Sequence, residues 1–255
     1  MEYGLIGEKL GHSFSKEIHE KLADYQYDIT PLTREEFPEF MKARDFKAIN
    51  VTIPYKCDVI PYLDDMDVNA KSIGAVNTIV HKDGKLIGHN TDFSGFLYMV
   101  EHHNVVVEGK KVLVIGNGGA SKAIIAVLKH LNAKEIIIID IFPAPGVITK
   151  EEVLEKHLDV EVVVNTSPVG MYPNVDDSPI DLASFSQCKA VLDVIYNPLQ
   201  TTLTKQASEL GMQAVNGLEM LVGQAKYAVE FFLDKSIDDE VIDPIFLQIM
   251  SDMSK

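Results

Sequence analysis

The segment from Val112 to Ser121, with the sequence VLVIGNGGAS, constrains the fold of this chain more than any other. Its first four residues form a short apolar run of mostly β-branched side chains, which is typical of a buried strand in a parallel sheet. Apolar residues then recur at helical spacing from Ala120 to Leu131, which predicts a helix. The glycines Gly116, Gly118 and Gly119 therefore lie in a tight turn between a strand and a helix.

This turn has the composition of a phosphate-binding loop. Glycine lets the backbone approach a pyrophosphate, whose charge is stabilised by the amides at the N-terminus of the following helix. The spacing is G-x-G-G-A instead of G-x-G-x-x-G, but Ala120 and Ser121 are small enough for the helix to pack closely on the strand. We interpret the segment as a dinucleotide-binding turn; the alternative is a strand-turn-helix unit with a purely structural role.

Composition excludes several classes of function. A chain of 255 residues can form two compact units, and its net charge of −15 argues against a nucleic-acid partner, which would require a clustered basic face. Cys57 and Cys188 lie far apart and no His/Cys group has metal-ligand spacing, so we expect reduced thiols and no metal. The N-terminus lacks the features of a signal peptide, and no segment has 18 uninterrupted apolar residues. We therefore expect a cytoplasmic protein without a membrane partner.

Short apolar runs alternate with amphipathic segments along the chain, which predicts an α/β fold. The expected strands cover residues 3–6, 27–31, 48–53, 112–115, 135–139 and 160–164, and the expected helices cover 16–25, 33–43, 120–131, 149–157 and 219–233. Asp83-Gly84 is a strong turn signal and predicts a hairpin within residues 81–86.

Several polar residues stand at the ends of these elements. Ser13 and Ser15 precede a helix, where a serine commonly serves as N-cap, but two hydroxyls two residues apart can instead bind a carboxylate. Pro54 ends the strand over 48–53 and places Lys56 on a loop at its carboxyl edge, where α/β sheets carry their chemistry. A single exposed lysine is more often solvated and without function.

Two further polar residues have two interpretations each. Asn77 lies within an apolar stretch, so it is either a satisfied core residue or a ligand contact. Asp92 precedes an apolar helix and is expected, on local grounds, to be its N-cap.

A series of motifs in this order resembles the shikimate dehydrogenase family over nearly the whole chain. They are HSFS, NVTIPYK, GAVNTI, GHNTDFSG, IGNGGAS, NTSPVGM, DVIYNPLQTTL and NGLEMLVGQA. The resemblance implies an α/β substrate domain over residues 1–101, a Rossmann-like dinucleotide domain over 102–216 and C-terminal helices over 217–255 that pack on the first domain. It is compatible with a monomer or a homodimer.

The resemblance also implies the reaction, which is the reversible reduction of 3-dehydroshikimate to shikimate by a nicotinamide cofactor, a step of aromatic amino-acid biosynthesis. Lys56 and Asp92 match the catalytic pair of the family, and the sequence leaves both as candidates for the proton-transfer group. The implied substrate contacts are Ser13, Ser15, Thr52, Asn77, Tyr196 and Gln224. The implied cofactor contacts are Gly116, Asn117, Gly118, Gly119, Ala120 and Gly217.

The cofactor half departs from the family pattern. NADP is the default of the family, whose members usually carry Asn-Arg-Thr after the second Rossmann strand to hold the 2′-phosphate. This chain has Asp140 followed by IFPAPG, so the basic clamp is missing. Asp140 is the type of residue that binds the ribose 2′-hydroxyl of NAD, which makes NAD the alternative cofactor. The other interpretation of Asp140 is an ordinary aspartate facing solvent at the end of a strand.

Two rival functions remain at this point: a quinate/shikimate dehydrogenase using NAD, and a shikimate-binding regulatory protein with impaired cofactor binding. The first motif also departs from the family, because Lys16 replaces a usual proline and Glu20 a usual asparagine. Lys16 either attracts the substrate carboxylate or is a first-turn surface residue.

Overall fold

The computed structural model describes residues 1–11 and 13–253. His12 of the HSFS motif and the last two residues of the expected C-terminal segment lie outside the described residues. The chain forms two compact units: the first comprises Met1–Phe96 and Leu221–Gln248, and the second comprises Leu97–Met220 and Ile249–Lys255. Within the described ranges, no helix has both the length and the apolar character needed to cross a membrane.

The first unit is built on a mixed six-stranded sheet. Its strands are β1 (Tyr3–Gly7), β2 (Tyr27–Pro31), β3 (Ala48–Val51), β4 (Asp65–Met66), β5 (Thr78–Lys82) and β6 (Lys85–His89), in the order β2-β1-β3-β5-β6-β4. The strands β2, β1 and β3 are parallel, whereas β5 runs antiparallel to both β3 and β6. The helices of this part of the chain are α1 (Ser15–Leu22), α2 (Phe37–Ala43), α3 (Val68–Ile73) and the start of α4 (Thr91–His102).

The second unit carries a fully parallel sheet. Its strands are β7 (Lys111–Ile115), β8 (Glu135–Ile139), β9 (Val147–Ile148), β10 (Val162–Asn165), β11 (Ala190–Asp193) and β12 (Gln213–Val215), in the order β12-β11-β10-β7-β8-β9. Its helices are α5 (Gly119–His130), α6 (Lys150–Lys156) and α7 (Thr202–Glu209). The last two helices of the chain are α8 (Leu218–Leu233) and α9 (Ile242–Met253).

The strand order of the second unit creates a place for a ligand. The chain runs from β7 outward through β8 to β9, then crosses to the other side of β7 and continues through β10 and β11 to β12. Open parallel sheets bind ligands at the carboxyl ends of the strands where the order reverses, here β7 and β10. The glycine turn follows β7 directly, so the expected strand-turn-helix unit is confirmed at this switch point.

Buried aliphatic side chains hold each unit together. Helix α8 packs Ala228 and Phe232 against Leu5, Tyr27 and Ala48 of the first sheet, which is the core-facing role that its apolar periodicity predicts. The core of the second unit includes Leu113, Ile115, Val163 and Val191 from its parallel strands. These strands are buried on both faces, as their continuous apolar runs indicate.

Three helix boundaries differ from expectation by more than one residue. Helix α1 ends at Leu22, and α2 begins at Phe37 because residues 33–36 form a side-chain turn, in which Glu36 accepts hydrogen bonds from the amide and hydroxyl of Thr33. The expected N-cap role of Asp92 is wrong. Helix α4 begins at Thr91, two residues before the start at Phe93 that an Asp92 cap requires, and the side chain of Asn90 accepts the amide of Phe93 at 3.3 Å, which leaves the Asp92 carboxylate available for other partners.

Candidate active site

Lys56 and Asp92 form a close ion pair within the first unit. Lys56 follows the end of β3, Asp92 lies in the first turn of α4, and Lys56 Nζ is 2.5 Å from Asp92 Oδ2. The side chains are only 13% and 8% exposed. The carbonyl of Lys56 accepts the amide of Val76 at 2.7 Å, which fixes the backbone that carries the lysine. Lys56 is therefore not a solvated surface lysine, because a buried carboxylate orients its ammonium group.

Asn77 connects this pair to the sheet. Its Nδ2 donates to Asp92 Oδ1 and to Thr91 Oγ1, each at 3.0 Å, while its Oδ1 accepts the amide of Thr91 at 2.7 Å and the hydroxyl of Thr78 at 3.1 Å. Asn77 is 2% exposed and has protein partners for its donors and acceptors. One carboxylate oxygen of Asp92 thus accepts a hydrogen bond from Asn77 and the other accepts one from Lys56. The two hydrogen bonds fix the plane of the carboxylate.

Asn50, which the motif analysis does not assign, lies behind Asn77. Its Nδ2 donates to Thr78 Oγ1 at 3.0 Å and its Oδ1 accepts the hydroxyl of Tyr27 at 2.7 Å. The residue is buried in β3, within the otherwise apolar run AINV, and that contrast is the sequence signal that could identify it. A hydrogen-bonded series therefore runs from β2 through β3 and β5 to the Lys56–Asp92 pair.

The remaining implied substrate contacts of the first unit are more dispersed. Ser13 Oγ accepts the amide of Ser15 at 3.2 Å, and Ser15 is the first residue of α1, whose N-cap position is occupied by Phe14 without a side-chain cap. Thr52 directly follows β3, four residues before Lys56, and Gln224 donates to the carbonyl of Leu221 within α8. The structure therefore joins Lys56, Asp92 and Asn77 by direct contacts and pairs Ser13 with Ser15.

Tyr196 and Gly217 belong to the second unit. Burial raises the pKa of the Tyr196 phenol above its usual value, so the side chain is a neutral hydrogen-bonding group. Gly217 lies directly against the chain just before Tyr196: its amide donates to the carbonyl of Ile195 at 2.9 Å, and a Cβ at this position would be 2.1 Å from the carbonyl oxygen of Val194. The close approach of two backbones explains the glycine without any ligand.

Gly217→Ala is expected to lower the free energy of unfolding by about 2–3 kcal/mol, because the added methyl overlaps a backbone oxygen that cannot rotate away. Urea denaturation measures this change. The matched control is Gly11→Ala, since a Cβ at Gly11 would meet no atom within 4 Å. Equal stabilities of the two variants would contradict the packing argument.

The glycine turn fits a dinucleotide pyrophosphate. Gly116 has φ of +104°, a conformation that favours glycine, and a Cβ there would be 2.7 Å from Thr166 Oγ1. Gly118 is the N-cap of the 12-residue helix α5 and makes no side-chain cap, and Gly119 and Ala120 begin the helix. Small residues and helix-terminal amides thus coincide at the switch point of the sheet, as anion binding requires.

Asp140 supports this turn from the end of β8. Its Oδ2 accepts the amide of Asn117 at 2.7 Å and its Oδ1 accepts the amide of Phe142 at 2.9 Å. The half-buried carboxylate is therefore not an ordinary aspartate facing solvent. A carboxylate has about four acceptor sites, so two backbone amides leave capacity for a ribose hydroxyl. The residues that follow, IFPAPGVIT, include no basic side chain, and Ile141 and Phe142 are 88% and 73% exposed.

A second hydrogen-bonded cluster, which the motif analysis also does not assign, lies at the ends of β10 and β11. Asp193 is fully buried and accepts hydrogen bonds from Asn165, Ile195 and Thr201. Burial raises the pKa of its carboxyl group to about 6. The sequence signal is an aspartate at the end of the apolar run AVLD.

Comparison with known proteins identifies the family. The family profile described as "Shikimate dehydrogenase substrate binding domain" matches residues 5–79. The chain is 36% identical over 259 residues to shikimate dehydrogenase (NADP(+)) of Clostridium beijerinckii, and the alignment covers 96% of each protein. The crystal structure of a chorismate mutase/shikimate 5-dehydrogenase fusion protein from Clostridium acetobutylicum has a TM-score of 0.92 and 36% identity, covering 99% of this chain and 98% of that one.

A more distant solved structure shows ligands on the same fold. Shikimate 5-dehydrogenase from Listeria monocytogenes, in complex with shikimate and NAD, has a TM-score of 0.81 and 28% identity, with 96% of each chain covered. The resemblance seen in the motifs is therefore confirmed by sequence identity over almost the entire chain. The chain belongs to the shikimate dehydrogenase family.

Proposed function

We propose that this protein is a shikimate dehydrogenase that interconverts shikimate and 3-dehydroshikimate with NADP. The observation that carries the proposal is the buried Lys56–Asp92 pair, 2.5 Å apart, in a chain 36% identical to a shikimate dehydrogenase (NADP(+)). We infer the reaction and the cofactor from the relatives named for this activity. We infer the proton transfer from the geometry of the Lys56–Asp92 pair.

We assign the Lys56–Asp92 pair and the substrate contacts other than Tyr196 to the first unit, and Tyr196 and cofactor binding to the second. The first contains Lys56 and Asp92, and the whole profile match to a substrate binding domain, residues 5–79, falls within it. Around the anionic substrate, the proposed contacts besides Lys56 and Asp92 are neutral groups: Ser13, Ser15, Thr52, Asn77, Tyr196 and Gln224. The expected domains over residues 1–101, 102–216 and 217–255 stay part of this proposal.

The reaction requires one substrate oxygen to gain a proton when its carbon accepts the hydride, and to lose that proton in the reverse direction. A bound nicotinamide supplies the hydride exchange. Lys56 donates a hydrogen bond to the reacting oxygen, while Asp92 holds the ammonium group in position and accepts a hydrogen bond from a substrate hydroxyl. Because both side chains are almost completely removed from water, these hydrogen bonds act at low dielectric and are stronger than at the surface.

Asp140→Asn is expected to shift the kcat/KM ratio of NADP to NAD toward NADP by about tenfold, equivalent to about 1.4 kcal/mol, because the repulsion between like charges about 4 Å apart ranges from about 1 kcal/mol in bulk water to about 4 kcal/mol near a protein surface. Parallel initial rates with both cofactors measure the shift. The control is Asp176→Asn, which removes an exposed charge from another loop of the same unit. The same ratio in wild type and Asp140→Asn would show that Asp140 does not sense the 2′-position.

The proposed function is tested by initial rates of shikimate oxidation with NADP and with NAD, followed by absorbance of the reduced nicotinamide. Turnover with shikimate supports the proposal, and quinate in parallel measures substrate preference. Calorimetric binding of shikimate without turnover on either cofactor would instead identify a binding protein. Light scattering during purification tests the expected monomer or homodimer.

A further inference from the structure

The buried carboxylate of Asp193 joins three segments of the second unit. Its Oδ1 accepts Asn165 Nδ2 at 3.0 Å and the amide of Ile195 at 3.1 Å, and its Oδ2 accepts the hydroxyl of Thr201 at 2.7 Å. Asn165 ends β10, Ile195 lies two residues beyond the end of β11, and Thr201 is the N-cap of α7. One side chain therefore determines how the chain leaves two neighbouring strands of the sheet.

One of these contacts leads directly to a residue of the proposed site, and another orders the loop after β10. Ile195 immediately precedes Tyr196, so its hydrogen bond fixes the backbone that presents the phenol. Asn165 Oδ1 accepts the amide of Ser167 at 3.1 Å and its hydroxyl at 2.7 Å. The orientation of the Asn165 amide group depends on Asp193, because its NH2 group donates to that carboxylate. The loop after β10 is thereby fixed as well.

Stability alone does not favour an ionised carboxylate at this place. Asp193 has no exposed surface, its three partners are neutral, and burial raises the pKa of its carboxyl group. Residues that reduce stability are retained where a site requires them.

We propose that Asp193 is a positioning residue for shikimate binding, acting through Tyr196. This inference rests on the proposed function, in which Tyr196 contacts the substrate. Loss of the carboxylate releases Ile195 and Thr201 and lets the loop that carries Tyr196 move, so the phenol no longer meets the bound substrate.

The test is a double-mutant cycle with Asp193→Ala and Tyr196→Phe. Each single variant is expected to raise KM for shikimate about tenfold with kcat nearly unchanged, because a contact made equally in the ground and transition states is lost. The double variant is expected to resemble the single variants, since both remove the same contact. Asp159→Ala, which removes an exposed carboxylate paired with Lys111, is the control and leaves KM unchanged.

Asp193→Asn provides the conservative rescue. Its amide oxygen can accept the Asn165 and Ile195 donors, and its NH2 group can donate to Thr201 Oγ1 while that hydroxyl turns to Thr204 Oγ1, 3.2 Å away. KM within threefold of wild type is expected. If Asp193→Ala does not fold, Asp193→Ser, whose shorter side chain cannot reach all three partners, takes its place in the cycle.

The outcomes separate the two proposals. A wild-type protein that neither binds nor oxidises shikimate overturns the proposed function and this inference together. Normal turnover with multiplicative effects of Asp193→Ala and Tyr196→Phe, or an unchanged KM in a folded Asp193→Ala, overturns this inference alone. Failure of Asp193→Asn to restore KM also contradicts it, because positioning by hydrogen bonds would then not explain the effect.

Discussion

Lys56→Ala is expected to lower kcat for shikimate oxidation by about 10²- to 10⁴-fold, the range typical of a lost acid–base group, while KM changes only a few-fold. Removal of the ammonium group leaves the reacting oxygen without the group that exchanges a proton with it. It also leaves the buried Asp92 carboxylate without its ion-pair partner, while the hydrogen bond from Asn77 remains. Steady-state kinetics with saturating cofactor, together with calorimetric binding of shikimate, distinguishes loss of turnover from loss of affinity.

Lys71→Ala is the matched control, because Lys71 belongs to the same unit and also forms an ion pair, with Asp65 at 2.7 Å, but is 57% exposed. Exposed pairs contribute little, so this variant retains wild-type kinetics and stability. A folded Lys56→Ala protein with near-normal turnover would contradict the role given to Lys56.

Acidification is expected to destabilise the protein through His19, by about 3 kcal/mol at pH 4.5. His19 is completely buried in α1, stacks on Tyr27 with ring centroids 4.0 Å apart, and its Nε2 has no hydrogen-bond partner among the described atoms. Burial lowers its pKa from 6.5 to about 3. The unfolded chain therefore binds a proton between these values and the folded chain does not, so the stability contribution is present above pH 6.5 and lost as pH falls toward 3.

Urea denaturation at pH 7.5 and at pH 4.5 measures this effect in wild type and in His19→Phe, which keeps an aromatic ring beside Tyr27 but cannot be protonated. The variant is expected to lose less stability between the two pH values than wild type does. His130→Asn, on the exposed last turn of α5, is the control and keeps the wild-type difference. Parallel losses in wild type and His19→Phe would assign the acid sensitivity to other groups.

Local sequence patterns predict many of the helices, strands and turns, because these elements are determined by residues close together in the sequence. The unit of β7, glycine turn and α5 follows from apolar spacing and from Gly116, whose φ is positive. The hairpin of β5 and β6 follows from Asp83-Gly84, both of which have positive φ. The start of α2 is less predictable, because side-chain hydrogen bonds of Thr33 and Glu36 compete with the first helical turn.

The hydrogen-bond partners behind the site are not predictable from sequence in this way. Asn50 bonds to Tyr27 and Thr78, which are 23 and 28 positions away, and Asp193 bonds to Asn165, 28 positions away. Such pairs come together only when strands align in register, so no local pattern contains them. The motifs locate Lys56 and Asp92, whereas the structure adds the groups that orient them.

Lys16 and Glu20, the two departures from the family pattern in the first motif, affect how the edge of the first sheet is protected. They form a 3.0 Å ion pair on α1, and they also bind the backbone of Tyr27: Lys16 Nζ donates to its carbonyl at 2.9 Å, and Glu20 Oε1 accepts its amide at 3.1 Å. Tyr27 begins β2, the strand at one edge of the first sheet, and Pro31 ends it without an amide hydrogen. Backbone groups that would pair with a strand from a second molecule are thus blocked at both ends, which protects this edge against intermolecular β-aggregation.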